Sequence, residues 1–305
     1  MKTRRAFTLV ELLVVITIIG ILVALVTVAV AGAMKVAKRA RIGWEMSQIV
    51  MALEHYKAEF GEYPPDMFDD DALVRHVKKR WPRFYFDSSP GTANTAQHIR
   101  QLLNEAYLNN PAFPVNVNFG DEGSELGALA VWLGGFPNSD GILSGFYADP
   151  ADPFTPSNAF DKKVFLELEI GKNVRIEGFG VPVIVNEIQN TFVPFVYFRG
   201  RADGGHEAYW RAIDEVKRFD FSVIGLGWCS PYAEERNVND NIKWKNPTTY
   251  QLIHPGLDGQ FGFEKWLGTD FDSGGYIKTG VGIGLADLDN ITNFADCKEL
   301  KSILP

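Results

Sequence analysis

Two short acidic segments near the carboxyl terminus contain the residues best suited to bind a cation. Asp258 lies in a Gly-Leu-Asp-Gly sequence, and Asp287, Asp289 and Asn290 follow further along the chain. Calcium takes roughly six to eight oxygen ligands, which clustered Asp and Asn side chains and loop carbonyls supply. The segments lack the EF-hand spacing. The alternative interpretation is that Asp258 forms a plain turn and that Asp289 and Asn290 cap a helix or bend a loop.

The rest of the sequence contains no recognisable catalytic motif. His206-Glu207 is not followed by the second His of a zinc-protease helix, and the glycines of segment 280–284 lack the dinucleotide-binding spacing. The five histidines are scattered, and no Gly-x-Ser-x-Gly elbow accompanies them. We therefore predict that the chain is not an enzyme. Its net charge of −8 disfavours a nucleic-acid surface, so no nucleic-acid partner is expected.

Glu11 is an ionisable residue in an apolar run, Phe7 to Ala33, that has the length of a membrane-spanning helix. A carboxylate near the bilayer centre costs about 2.5–3.5 kcal/mol on insertion scales, so such residues usually face a partner. Cleavage between Ala6 and Phe7 would create an amine that could neutralise Glu11 of a neighbouring subunit. The alternative is a signal anchor whose Glu11 lies near the interface and is simply solvated.

Residues 2–13, KTRRAFTLVELL, resemble the leader and cleavage motif of type IV prepilins and of type II secretion pseudopilins. The resemblance implies that prepilin peptidase, an aspartic peptidase of the membrane, cuts between Ala6 and Phe7 and N-methylates Phe7. It also implies that Glu11 guides the packing of subunits. The family usually has Gly before the cut, whereas this chain has Ala6.

Two further segments resemble the major pseudopilins. Residues 52–65 are similar to the sequence with which those proteins leave their long helix, and segments 256–262 and 287–294 are similar to their calcium-stabilised loop. The resemblance implies a Ca²⁺ cofactor bound by Asp258, Asp287, Asp289 and Asn290. Asn290 stands where a ligand Asp would be expected.

The resemblance implies a structural subunit of a type IV pilus-like or type II secretion pseudopilus filament, closest to the major pseudopilin. Its partners would be other copies of the chain, other pilins, prepilin peptidase and the inner-membrane assembly machinery. The basic leader predicts a cytoplasmic amino terminus and a single crossing of the inner membrane. The soluble domain would lie in the periplasm, or on the cell surface in a filament. Alternatives are a minor pilin or tip protein with a ligand-binding or adhesion module, and a membrane-anchored enzyme.

The sequence leaves two questions open: whether a secretory peptidase cleaves the chain, and whether its cysteines form a disulfide. Ala29-Val30-Ala31 has the small-x-small form of a secretory cleavage site before Gly32, although the apolar stretch is longer than the usual signal-peptide core. Cys229 and Cys297 belong to no metal-type spacing. One disulfide and two unpaired core thiols are both compatible with the sequence.

The predicted fold class is α+β and pilin-like, with a long amino-terminal helix packed on an antiparallel sheet and a helical insertion. Hydrophobic residues make up 46% of the chain, enough for a packed core. An apolar stripe from Met46 to Phe60 predicts that the helix continues to Gly61. Three shorter helices and four strands follow from charge and alternation patterns: helices within 69–80, 96–108 and 125–133, and strands at 164–170, 181–185, 192–199 and 250–254.

These patterns divide the 305 residues into five segments. Residues 1–6 are the leader peptide, and 7–33 form the transmembrane and polymerisation helix. Residues 34–63 form the soluble half of the long helix. Residues 64–145 form the helical insertion, and 146–305 form the carboxy-terminal β-rich globular region.

Overall fold

A computed structural model describes most of the chain and divides it into two compact units, Met1–Arg41 and Ile42–Pro305. The described residues are 9–85, 92–111, 113–120, 123–188, 190–205, 207–209, 217–221, 225–236, 242–262 and 288–303. The leader and Phe7 lie outside them, as do Asp287, His206 and segment 280–284. The five predicted segment boundaries stay predictions.

Helix α1 (Leu9–Phe60) is the longest element and confirms the predicted amino-terminal helix over its described length. In the first unit its large apolar side chains are exposed. In the second unit its buried residues recur at spacings of three and four, as a one-faced helix requires: Ile42, Met46, Ile49, Ala52, Leu53 and Tyr56. Val50 and Phe60, also predicted on this face, are half-buried.

Helix α1 ends where the sequence predicts. Gly61 adopts a positive φ of 75°, and its N–H donates to the Lys57 carbonyl at 2.7 Å. This left-handed residue stops the helix and satisfies one of its free carbonyl groups. Pro64 and Pro65 then carry the chain away, and the Tyr197 hydroxyl donates to the Pro64 carbonyl at 2.8 Å. The exit of α1 is thereby fixed to the sheet.

Three further helices form the predicted helical region. Helix α2 (Asp70–Arg80) begins at Asp69, whose side chain accepts from the Ala72 N–H, and it has acids in its first turn and bases in its last. This charge order suits the helix dipole. Helix α3 (Thr92–Leu108) begins four residues earlier than predicted. Helix α4 (Ala128–Gly134) follows a short 3₁₀ turn at Ser124–Gly127 and is buried throughout.

Short strands form the remainder of the globular unit. In chain order they are β1 (Val174–Arg175), β2 (Val183–Ile188), β3 (Thr191–Pro194), β4 (Val196–Arg199), β5 (Phe219–Asp220), β6 (Gly227–Cys229), β7 (Ala233–Arg236), β8 (Ile242–Trp244), β9 (Tyr250–His254), β10 (Phe261–Gly262), β11 (Ile291–Thr292) and β12 (Lys298–Glu299). The sheet orders are β1-β2-β3, β10-β6-β5, β12-β11-β9-β4 and β7-β8. Their pairings are antiparallel except that of β10 with β6, which is parallel.

The predicted α+β class with a long amino-terminal helix and antiparallel sheets is confirmed, but two strand predictions need correction. Residues 164–170 form only isolated bridges at Glu169 and Ile170. The predicted strand 192–199 is divided into β3 and β4, which pair in different sheets. The break falls at Phe195, next to a proline that has no N–H for a strand ladder. Strand β9 has the predicted bounds, and β2 overlaps its prediction.

The α1 helix contacts the carboxy-terminal sheet through a glycine. A Cβ atom built on Gly43 would lie 2.7 Å from the Cys297 carbonyl oxygen. No side chain fits at this distance, so the Cys297 backbone lies directly against the helix backbone. Glu45, two residues along, accepts a hydrogen bond from the side-chain amide of Asn186 in β2. Close backbone approach at Gly43 and the contact between Glu45 and Asn186 both hold the first turns of α1 in the globular unit.

A buried hydrogen-bond chain fastens the end of α1 to α2 and β4. Arg80 Nη1 donates to the Tyr56 hydroxyl at 3.2 Å, and that hydroxyl lies 2.6 Å from His76 Nε2. His76 Nδ1 lies 3.0 Å from Glu62 Oε1, and Arg199 Nη2 donates to Glu62 Oε2 at 3.0 Å. A neutral imidazole with its proton on Nδ1 satisfies every one of these contacts.

The charge states of this chain follow from burial and its charged partners. Burial lowers the pKa of His76 and outweighs the attraction of Glu62. Burial alone would raise the pKa of Glu62, but its bonds to His76 and Arg199 hold that pKa at about 2. Burial raises the pKa of Tyr56 to about 12. At neutral pH the chain therefore contains a protonated tyrosine, a neutral imidazole and a carboxylate, which is the combination its geometry requires.

A buried ion pair holds the segment after α1. Lys217 Nζ lies 2.7 Å from Asp66 Oδ2, and both side chains are 3% exposed. The Lys217 ammonium also donates to the Arg199 carbonyl at 2.7 Å, and the Arg199 N–H donates to Asp66 Oδ2 at 2.8 Å. Each charge is paired and hydrogen-bonded, which makes its burial tolerable. These contacts join the helix exit to β4 and to Lys217, two residues before β5.

The hydrogen-bond chain predicts the effect of Tyr56→Phe. Removal of the hydroxyl leaves Arg80 Nη1 and His76 Nε2 without this partner in a buried position, so unfolding free energy should fall by about 1–3 kcal/mol. Chemical denaturation of the full chain in detergent, followed by tryptophan fluorescence, measures the change. Tyr85→Phe is the matched control, because Tyr85 is 79% exposed. Equal stability of the two variants would contradict the structural role of the chain.

Candidate assembly helix and carboxy-terminal loop

The first unit exposes an apolar helical surface on all sides. From Leu9 to Val30 its exposed large apolar side chains have accessible fractions between 44% and 79%. Among the described residues, α1 is the one helix long and apolar enough to cross a membrane. A helix that is hydrophobic all round needs lipid or other apolar helices around it. The geometry agrees with the predicted transmembrane helix.

Polar side chains in this apolar segment are compatible with a membrane or a helix bundle. The hydroxyls of Thr17 and Thr27 donate to the carbonyls of Leu13 and Val23, each at 2.8 Å. Such bonds to the preceding turn satisfy a hydroxyl without water. Glu11 is exposed on α1 among the apolar residues near its start. It is therefore the acidic group that this surface presents to its surroundings.

The carboxy-terminal loop brings Asp258 and Asp289 together. Asp289 Oδ2 accepts from the backbone N–H groups of Leu257 and Asp258 at 2.9 and 3.2 Å. Asp258 Oδ1 in turn accepts from the Gln260 N–H at 2.8 Å. Gly256 has a φ of 69°, and a side chain there would meet the Asp289 carbonyl. The two acids thus stabilise the predicted turn through its backbone amides.

The fit of this loop to a calcium ion is incomplete among the described residues. Asn290 is fully buried, and its amide nitrogen donates to the Tyr232 hydroxyl at 2.8 Å. Asp289 Oδ1 is buried without a hydrogen-bond partner, so it is an acceptor available to a cation. The described part of the chain holds no group of three His, Cys, Asp or Glu side chains able to bind a metal. Asp287 lies outside that part, and the calcium site stays a prediction.

Other residues considered in the sequence take structural positions. The two cysteines form no disulfide with each other; Cys229 is buried and Cys297 is half-buried. Burial raises the pKa of the Cys297 thiol, which makes it a weak nucleophile. Gly225 and Gly227 both have positive φ values, as a turn before β6 requires. His254, predicted only as a strand end, is fully buried and accepts from the Gly256 N–H at 3.2 Å.

The most heavily buried charges were not found by sequence reasoning. Asp66 and Lys217 are separated by most of the helical region and several strands, and neither belongs to a motif. His76 is one of several polar residues in a short charged helix, and its burial depends on Tyr56 and Glu62 from another element. No local signal marks such partners. Their contacts fix the fold.

A calcium test follows from the free acceptor on Asp289. If the loop binds Ca²⁺, the full chain should unfold at a higher temperature in saturating Ca²⁺ than in chelator. A ligand present at 100 times its Kd raises the free energy of unfolding by about 2.7 kcal/mol. Asp289→Asn should abolish the rise. Asp140→Asn, at an exposed turn, should retain it. Identical midpoints of the wild-type chain in Ca²⁺ and in chelator would remove the calcium prediction.

Comparisons with known proteins bear on the amino terminus. Residues 1–27 match the family model described as the prokaryotic N-terminal methylation motif. Neither the curated proteins nor the solved structures gave a match. A motif of this type implies processing by prepilin peptidase and assembly with other pilins. The matched motif, together with the exposed apolar helix that follows it, supports a type IV prepilin-like protein anchored in the membrane by a single helix.

Proposed function

We propose that the chain is a structural subunit of a type IV pilus-like or type II secretion pseudopilus filament, closest to a major pseudopilin. The observation that carries the proposal is the two-part character of α1. Its first part is exposed and apolar on all sides, and its second part has one face buried in a globular unit. A polymer whose subunits associate through apolar helices and display globular units needs this combination.

Processing would prepare the helix for assembly. Prepilin peptidase would cut between Ala6 and Phe7, remove the basic leader and leave a methylated amine on Phe7. The amine lies four residues from Glu11, about 6 Å along a helix. In a neighbouring subunit the amine would neutralise the Glu11 carboxylate and offset the roughly 2.5–3.5 kcal/mol cost of that charge in an apolar environment. Register between subunits would follow from this pairing.

The orientation follows from the leader charges. Lys2, Arg4 and Arg5 favour a cytoplasmic leader, so the globular unit would lie in the periplasm or on the surface of a filament. Inner-membrane assembly machinery would extract the processed subunit and add it to the polymer. The work of the protein is mechanical in this proposal.

The alternative is a minor pilin or tip protein that binds a ligand. A cavity of about 210 Å³ beside Asp258, lined by Ile188, Val193 and Leu226 among others, is its best structural support. This volume is below the roughly 300–1,000 Å³ of typical small-molecule pockets. The alternative predicts that the chain forms no filament when expressed without other pilins. The structural-subunit proposal predicts that it does.

Mass spectrometry of the mature amino terminus tests the processing step. The protein should be isolated from its native membrane or surface fraction, and we expect a chain that begins with N-methylated Phe7. Removal of the leader requires a peptidase that recognises the boundary between Ala6 and Phe7. A chain starting at Gly32 would indicate ordinary secretion, and an intact Met1 would indicate an unprocessed anchor. Either result would refute the proposal.

Glu11→Ala tests the assembly step. Without the carboxylate the neighbouring amine is left uncompensated, so we expect at least about a tenfold loss of filaments in sheared surface fractions or by electron microscopy. The globular unit should keep its wild-type melting behaviour. Glu59→Ala is the matched control on the same helix, because its ion pair with Lys163 is solvent-exposed. Normal filaments from the Glu11 variant would exclude the assigned role of this residue.

A further inference from the structure

The buried pair of Lys217 and Asp66 brings an amine and a carboxyl group into contact inside the globular unit. Lys217 Nζ lies 2.7 Å from Asp66 Oδ2, and each side chain is 3% exposed. The two residues are 151 positions apart, one after the end of α1 and the other two residues before β5. The fold therefore holds the reactants of an amide bond together where bulk water is excluded.

The surroundings of Lys217 do not fully satisfy an ammonium group, which has three N–H donors. Among the described residues, Lys217 Nζ donates to two acceptors, Asp66 Oδ2 and the Arg199 carbonyl, each at 2.7 Å. The centroid of the Phe68 ring lies 5.9 Å from this nitrogen. A ring face attracts a cation but is a weak substitute for a hydrogen-bond acceptor. The third donor thus has no oxygen acceptor in the described part of the chain.

The same surroundings suit a secondary amide. Its single N–H would donate to the Arg199 carbonyl, which already accepts from Lys217 Nζ. Two backbone N–H groups donate to the Asp66 carboxyl, that of Arg199 to Oδ2 at 2.8 Å and that of Phe68 to Oδ1 at 3.3 Å. Whichever carboxyl oxygen the amide retains, a backbone N–H is in place for it. Both polar groups of an amide would therefore have a partner.

Amide formation would also remove two charges from apolar surroundings. The Phe68 ring packs on the buried rings of Phe198 and Phe219, with centroids 6.0 and 5.1 Å away. An ion pair in such a position carries the desolvation cost of both charges, whereas an amide carries no charge. The Arg199 guanidinium keeps its own carboxylate partner, Glu62, at 3.0 Å. Loss of the charge pair would leave neither of these ions unpaired.

We propose that Lys217 and Asp66 form an intramolecular amide bond between Nζ and Cγ. The ammonium first transfers a proton to the carboxylate, which gives a neutral amine and a carboxylic acid. The amine nitrogen attacks Cγ, one of its protons passes to the acid hydroxyl, and the Cγ–O bond breaks with release of one water. Amine, acid and water account for every atom, so the step needs no oxidant, reductant or co-reactant.

Proximity and burial supply the conditions for this condensation. Free amines and acids do not condense appreciably in water, but well-oriented groups within one molecule reach effective molarities of roughly 10⁵–10⁸ M. The two backbone N–H groups on the carboxyl stabilise the negative charge that develops on oxygen during attack. Burial of both side chains keeps water from the reverse reaction, hydrolysis.

The bond would join the exit of α1 covalently to the segment before β5. Helices α2 to α4 and strands β1 to β4 lie between the two residues and would become one closed loop. Such a cross-link restricts the unfolded chain as a disulfide does. The segment after α1 could then not separate from Lys217 when the globular unit opens. The inference concerns the globular unit alone and does not depend on the proposed filament function.

Mass spectrometry of the denatured full-length chain, purified from cells, tests the bond. Once the amino terminus of the sample is determined, we expect a mass lower by one water than its sequence predicts. Trypsin should release segments 58–75 and 212–218 as one branched peptide, because an acylated Lys217 is no longer a cleavage site. Fragmentation should place the branch on Asp66. Loss of water within Asp66 alone would leave the two segments separate.

Lys217→Arg is the matched variant, because it keeps the positive charge but has no primary amine. It should have the full mass expected for its sequence, give segment 58–75 unbranched and migrate more slowly than the wild type in denaturing electrophoresis. Lys163 and Glu59 are an internal control. Their exposed side chains lie 2.8 Å apart and should be recovered unlinked, since water surrounds them.

The wild-type measurement decides the question even where the variant does not fold. A wild-type chain of full mass that yields segments 58–75 and 212–217 as separate peptides would overturn the inference. A branch on another acid of segment 58–75 would overturn it as well. Either result would leave the filament proposal unaffected, because that proposal is tested at Phe7 and Glu11.

Discussion

A helix makes its backbone hydrogen bonds within itself, and this property is the constraint on which the structure of this protein depends. One uninterrupted element can therefore pass from an apolar environment into water without exposing unpaired peptide groups. In α1 only the side chains change along the length. They are apolar on every side from Leu9 to Val30 and one-faced from Ile42 onward. No linker or hinge sequence is needed between the anchoring part and the domain-bearing part.

The globular unit holds its part of α1 through contacts at both ends of that stretch. Near the start, Gly43 lets the Cys297 segment lie against the helix backbone. Near the end, Tyr56 joins a buried chain of hydrogen bonds with His76 and Glu62. Apolar packing between these ends is non-directional, whereas the polar contacts accept one geometry. The combination fixes the rotation of α1 within the globular unit.

The sequence predicted the elements whose signals are local. The apolar run and its basic boundary predicted α1, the order of charges predicted α2, and alternation predicted β9. Residues 164–170 also show apolar alternation but form only isolated bridges, and the backbone N–H groups of Phe165 and Leu166 both donate to the Leu133 carbonyl in α4. The segment is a partly buried loop in which Leu168 is buried. Alternation alone does not distinguish a buried loop from a strand edge.

The site residues also divide into those with a local sequence signal and those without one. Ala6, Phe7 and Glu11 were named from a contiguous motif, and their roles stay predictions because the partner groups belong to other molecules. The calcium interpretation brought Asp258 and Asp289 together, whereas the alternative made Asp258 a plain turn; neither predicted that Asp289 accepts from the backbone N–H groups of Leu257 and Asp258. Asp66, Lys217 and His76 had no signal because each depends on a partner far along the chain.

The two-part character of α1 also limits which amino-acid substitutions each part of the protein can tolerate. In the proposed filament, the amino-terminal part has to satisfy a peptidase, an apolar environment and a neighbouring helix, and few side chains meet all three requirements. The globular unit has to bury one face of α1 and remain soluble, which many sequences can do. Helices α2 to α4 and the short strands meet that demand with their own core.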